Sequence, residues 1–192
     1  MARAGVTLSR LTEVAADMAD EIGFQNVTVL AVARSFGVKD ASLYSHIKNL
    51  RDLRQRVSVA SLSELADRVS DALAGRAGKD ALVAFANAYR DYAREHPGRY
   101  ASTQFELDPD VAVASDARRH SVMSRAVLRA YALAEPDETD AVRLLGSTFH
   151  GFIALETAGG FAYTPRESED SWTRVLDVLH HALEQWPTLT KE

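Results

Sequence analysis

The sequence contains no cysteine. That absence excludes disulfides, thiolate zinc sites and cysteine nucleophiles together. No apolar run approaches the ~20 residues needed to span a bilayer, so no membrane partner is expected. The first ten residues carry a basic flank with no apolar stretch behind it, which argues against a secretory signal and for a cytoplasmic protein. There is no glycine-rich phosphate loop and no serine-centred nucleophile motif. The histidines lack the spacing of a metal site. His180 and Glu184 are four apart but have no third ligand, and His150 and Glu156 are six apart, on different faces of a helix. The expectation is a protein without cofactor, without metal and without catalysis.

Excess charge of one sign is also small, at −5 for the 192 residues. Its distribution says more than its sum. Residues 1–60 hold eight Lys and Arg against six Asp and Glu, a balance of +2, while residues 61–192 hold fourteen against twenty-one, a balance of −7. A basic first third and an acidic remainder would bring one end of the molecule to phosphates and keep the rest away.

Strand-like alternation is scarce and helical spacing is everywhere. Thr7 or Ser9 can cap a first helix whose apolar face carries Leu11, Val14, Ala15, Met18 and Ile22, with Gly23 past its end. Further helices are predicted at about 50–74, 79–95, 98–104, 110–134, 137–158 and 167–185. Pro97, Pro136, Pro165 and Pro187 and the Gly159-Gly160 pair mark their limits. The glycines at 75 and 78 mark a domain boundary. Residues 1–54 form one domain, residues 75–192 a second, and the helix at 50–74 connects them.

Residues 28–48 read as helix, tight turn, helix, with the spacing of a helix-turn-helix that enters a DNA major groove. Thr28 is the N-cap of the first helix, 29–35, which carries Val29, Val32 and Ala33 on one face with Phe36 just beyond. Gly37 sits where the backbone needs a left-handed residue. The second helix, 40–46, is anchored inward by Leu43 and Ile47. Outward it offers lysines, hydroxyls, a phenol and an imidazole. This surface is assigned to DNA through Thr28, Lys39, Ala41, Ser42, Tyr44, His46 and Lys48. Thr28, Tyr44 and Lys48 suit phosphates, which position; Lys39, Ser42 and Ala41 suit base edges, which specify.

Residues 9–54 resemble the DNA-binding domain of the tetracycline-repressor (TetR) family. The resemblance rests on Gly23-Phe24, Thr28, Ala33, Gly37-Val38, Leu43-Tyr44, His46 and Lys48-Asn49. The second half resembles a regulatory domain of the same family that bears a Trp-His-Gly motif, present here as Phe149-His150-Gly151. The chain departs from the family at Lys39, where a small polar cap is usual, and at Leu50, where lysine is. The operator sequence therefore does not carry over.

The resemblance implies an all-α protein: an N-terminal three-helix DNA-binding domain and a C-terminal helical domain for ligand and dimerisation. It further implies a homodimer on a near-palindromic DNA operator, joined by a four-helix bundle. Leu145, Gly151, Leu155, Trp172, Val175, Leu176, Leu179 and Leu183 are the candidate interface residues. A small apolar effector is the expected partner of the second domain. Its candidate lining is Phe85, Tyr89, Tyr92, Phe105, Met123, Phe149, His150 and Phe152; His150 has either a ligand or a structural role. The reading is a transcriptional repressor released by effector. A constitutive DNA-binding regulator and a helical small-molecule binding protein stand as alternatives.

Overall fold

The computed structural model describes residues 6–187, and among them every regular element is a helix. Nine α-helices follow in order: α1 (Leu8–Ile22), α2 (Val29–Ser35), α3 (Leu50–Leu73), α4 (Gly78–Glu95), α5 (Pro97–Ser102), α6 (Pro109–Ala114), α7 (Ala117–Leu128), α8 (Asp137–Thr157) and α9 (Ser168–Glu184). Short 3₁₀ segments lie at Phe24–Asn26, Asp40–Ser45 and Arg129–Tyr131. No helix among the described residues is long and apolar enough to cross a membrane.

The chain divides into two compact units, residues 1–67 with 92–118 and residues 68–91 with 119–192. The glycines at 75 and 78 lie within the second unit, Gly75 after α3 and Gly78 as the first residue of α4, and both have positive φ.

The first unit is built around α1. Thr7 caps it by accepting from the Arg10 N–H, and Gly23 ends it with φ 87°. Leu11, Ala15 and Ala19 are fully buried, whereas Ile22, on the same predicted face, is 46% exposed. They pack with Val29, Val32, Ala33, Leu43, Ile47, Leu53 and Val57 in one core. The small side chains let α5 come close. A Cβ on Gly98 would lie 1.9 Å from the Ala19 carbonyl oxygen. Asp20 accepts the Arg99 N–H at 2.8 Å and faces His96 Nδ1 at 3.0 Å.

The second unit buries Leu82, Phe85, Ala141, Leu145, Phe149, Ile153, Trp172, Leu176, Leu179 and Leu183. Spacings of three and four place each set on one face of its helix, and α8 packs on α9. Arg90 is buried among them. It makes two bonds to Glu156, at 2.7 and 2.9 Å, and one to Glu169 at 2.7 Å, with its guanidinium over the Trp172 and Phe152 rings.

Two sequence expectations are corrected. The single helix predicted at 110–134 is three pieces. Ser115 is extended, and its hydroxyl bonds the Ala112 carbonyl and accepts the Ala117 N–H, offering the backbone an alternative to the helix. Ala132 then adopts a left-handed conformation that ends the last piece. The second helix of the reading motif is the other correction, taken up next.

Candidate nucleic-acid interface

The motif begins at Thr28, which is exposed and whose Oγ1 accepts the Ala31 N–H at 3.1 Å. That bond uses an acceptor lone pair and leaves the hydroxyl proton for an outside acceptor. The helix it caps ends at Phe36, and Gly37 takes φ 65° as its position requires. Immediately upstream, Arg54 fixes the chain from within. It donates to the Gln25 carbonyl at 2.7 Å and lies over the Phe24 ring.

The second helix of the motif is 3₁₀ rather than α, over Asp40–Ser45. Lys39 at the N-cap makes no side-chain cap bond, while the Ser45 hydroxyl donates to the Ser42 carbonyl. Uncapped, and carrying serines that compete for backbone groups, the segment settles into the tighter i→i+3 pattern. The Ser42 N–H bonds Lys39 O at 2.9 Å and the His46 N–H bonds Leu43 O at 2.8 Å. Asp40 uses its carboxylate on the Ala41 N–H.

Leu43 and Ile47 are buried, as their spacing predicts. Lys39, Ala41, Ser42, Tyr44 and Lys48 are exposed, Tyr44 by 53%, and His46 is half-buried. Six of the seven candidate DNA residues, Thr28 included, thus lie at the surface of one short stretch, and the seventh borders it.

The far end of this stretch is tied to α3. The Lys48 N–H donates to Asp52, and the Asp52 N–H donates to Asn49 Oδ1. Asp52 also pairs with Arg56 at 3.0 Å. Asn49 thus caps α3 as in half of a capping box, while the Asp52 carboxylate takes the N–H of the residue before the cap. Arg51 is spent on an exposed pairing within the chain. It bonds Asp108 at 2.8 Å and the Glu106 carbonyl at 3.2 Å, with its guanidinium over the Phe105 ring. Arg51 first, then Gln55, holds the Asp108 carboxyl below its ordinary range. The basic balance of the first sixty residues is therefore partly neutralised by a carboxylate from further along the chain.

The candidate effector residues separate into two groups. Tyr92 and Phe105 belong to the first unit. Tyr92 is buried and donates to Glu64 at 2.9 Å; burial, then the Glu64 charge, pushes its phenol up. Phe105 meets Phe24 edge-on at 5.6 Å and packs on the core of the first unit. In the second unit, Phe85 and Phe149 are buried with ring centres 6.0 Å apart. Tyr89 packs on Phe85, and its hydroxyl is 2.5 Å from His120 Nδ1. Met123 and Phe152 are half-buried, and His150 is exposed.

The candidate interface residues also divide. Leu145, Trp172, Leu176, Leu179 and Leu183 are buried within the chain. Leu155 is 55% exposed, and Gly151 and Val175 are half-buried. No group of three or more His, Asp or Glu among the described residues is placed to hold a metal.

An all-helical chain that presents this surface is a helix-turn-helix transcriptional regulator. Residues 82–179 match the family described as tetracyclin repressor-like, C-terminal domain. The chain is 35% identical over 153 residues to the uncharacterized HTH-type transcriptional regulator Rv0681 of Mycobacterium tuberculosis, covering 78% of this chain and 69% of that one. It is 32% identical over 154 residues to the uncharacterized HTH-type transcriptional regulator YobS of Bacillus subtilis, covering 80% of each. Its fold is that of the Streptomyces coelicolor TetR family protein ActR, solved in complex with (S)-DNPA. The TM-score is 0.68 at 16% identity, over 97% of this chain and 100% of that one. The chain belongs to the TetR family.

Proposed function

We propose that this regulator is a cytoplasmic homodimeric repressor that reads a near-palindromic operator and is released by a small molecule. The observation that carries the DNA reading is the division of one six-residue segment. Leu43 is buried, while Ala41, Ser42 and Tyr44 around it are exposed beside Thr28, Lys39 and Lys48. Thr28, Tyr44 and Lys48 hold phosphates; Lys39, Ala41 and Ser42 meet base edges, and His46 borders them.

Dimerisation uses the outer faces of α8 and α9. Leu144, Leu155 and Val178 are exposed there by 36%, 55% and 55%. Gly146 and Gly151 have nothing within 4 Å of where a Cβ would stand, which leaves room for a second helix to come close. Two-fold symmetry then places two reading segments on two half-sites.

Release follows from population shift. An effector that prefers the form with mis-spaced reading segments lowers DNA affinity by its differential affinity for the two forms. Tyr89, Met123, His150 and Phe152 remain candidates to meet it. Burial of Phe85 and Phe149 against each other favours a second reading, in which side chains fill the core and the regulator is constitutive.

Selection of genomic fragments on the purified protein at about 150 mM salt tests the reading. Enrichment of a near-palindrome, bound by a dimer with affinity that falls steeply with salt, is the expected result. Absence of any salt-dependent DNA affinity would leave a small-molecule binding protein instead.

A further inference from the structure

An open cleft of about 930 Å³ lies inside the first unit, between α1, α3 and α6. It is separate from the aromatic residues of the second unit, and its volume is that of a small-molecule site. Its composition narrows what fits. Leu8, Val59, Val111 and Ala114 give apolar wall, and no aromatic ring lines it. Carboxylates outnumber cations on the lining, and both cations are already engaged. Arg56 pairs with Asp52, and Arg99 pairs with Asp17 and Asp20. Glu13 on α1 and Glu64 on α3 are about half exposed at the cleft, Glu13 paired with Arg10 at 2.8 Å and Glu64 with Arg99 at 3.6 Å, and four carboxylates against two guanidiniums leave the lining net negative. A ligand with an aliphatic body and a positive head matches these walls; an anion or a flat stacking ring does not.

The third wall, α6, is fastened to the DNA-reading domain at its first turn. Gln55, buried on α3, accepts the Asp108 N–H at 2.7 Å and donates back to the Asp108 carboxylate at 3.0 Å. Arg51 holds the same carboxylate. Arg51 and Gln55 flank Asp52, which in turn holds the Lys48 N–H at the end of the reading segment. A ligand that spreads α6 from α1 therefore pulls on the first turn of α3 through Asp108.

We propose that this cleft binds a small aliphatic ammonium compound, and that its occupancy changes DNA affinity through the Asp108 clamp. The second half rests on the DNA-binding role proposed above; the first does not.

The test uses hexylammonium, with hexanol and hexanoate as the uncharged and oppositely charged arms, on the full-length protein at constant ionic strength. Calorimetry reads binding, and fluorescence anisotropy with the selected operator reads DNA affinity. Hexylammonium alone should bind, Glu13→Gln should weaken it about threefold, as for an exposed charge pair, and Ala114→Trp, which narrows the cleft from the α6 side, should weaken it further. Asp108→Asn should keep hexylammonium binding and lose its effect on DNA. Equal binding of the three probes overturns the ligand class, and binding untouched by Ala114→Trp overturns the site. Binding with no change in affinity for DNA overturns the coupling. A wild-type protein that binds hexylammonium but no DNA defeats the proposed function and leaves the cleft assignment standing.

Discussion

Replacing Gly98 by alanine should destabilise this protein, against the usual direction of the exchange. Where the backbone is compatible, Gly→Ala stabilises by about 0.4–1 kcal/mol, because the unfolded chain has less freedom to lose. Gly98 sits in the first turn of α5 at a helical position, so that gain is available in principle. The surroundings reverse it. The added Cβ would stand 1.9 Å from Ala19 O, 2.0 Å from Ala19 C and 2.5 Å from Asp20 N, all backbone atoms of α1. Restoring ordinary contact requires α5 to retreat by about 1.5 Å. That movement stretches the bond from the Arg99 N–H to Asp20 and the contact of His96 with the same carboxylate. Overpacking costs about 1–3 kcal/mol, and weakening a bond to a charged group adds to it. A net loss of about 2–4 kcal/mol is expected, which lowers Tm by roughly 4–16 °C in a chain of this length. Thermal denaturation followed by circular dichroism reads it directly. Gly146→Ala on α8 is the control. Nothing in the chain lies within 4 Å of its Cβ position, so Tm should rise by about 1–4 °C in protein melted as monomer, and fall where a second copy packs on that face as proposed. An unchanged or raised Tm for Gly98→Ala refutes the close approach of α5 to α1.

Tyr44→Ala should lower operator affinity about tenfold while the melting curve and helical content stay as they are; loss of folding would make Tyr44 a packing residue. Arg90→Met should cost about 3–5 kcal/mol, because Glu156 is left with a poorly hydrated charge, and adding Glu156→Gln should recover most of it. Urea titrations of the single and double variants separate these outcomes. The lowered Asp108 carboxyl sets a sign for pH. Its contribution is complete above the ordinary aspartate range and disappears as pH falls through the folded-state value. Asp108→Asn should therefore be less stable than the parent near neutrality and equal to it in strong acid. A constant difference across Tm measurements from neutral to acid would show that the carboxylate charge is not what Arg51 and Gln55 hold.

The sequence discloses what depends on neighbours three or four residues away. Thr28 as a cap, Gly37 as a left-handed turn, Leu43 and Ile47 as anchors and most helix limits are of this kind, and the structure has them. The shortfalls have physical causes. Ser115 breaks a predicted helix because its hydroxyl serves the backbone on both sides, an option that apolar periodicity does not register. Tyr92 and Phe105 look like any aromatic on a helical stripe, yet one serves Glu64 and the other packs on the core of the first unit. The stripe on α9 is equally mute about what covers it; Trp172, Leu176, Leu179 and Leu183 are buried within the chain itself. Pairings such as Arg51 with Asp108 and Arg90 with Glu156 join residues more than fifty positions apart, beyond the reach of any local pattern.

The 3₁₀ form of the reading segment has a geometric consequence. With three residues per turn, side chains three apart stand in columns, and the rod has three sides instead of a gradual spiral. Leu43 occupies the side turned inward. Ala41 and Tyr44 share a second side, and Ser42 and Ser45 share the third. Within a column the spacing is about 6 Å, close to two steps of B-form DNA. If the segment reads DNA as proposed, each outward side addresses its own strip of groove. Exchange of Ala41 would then alter what is recognised along the Tyr44 strip and leave the serine strip as it was. Preference for a new operator could be gained one side at a time, with the single leucine keeping the rod seated throughout.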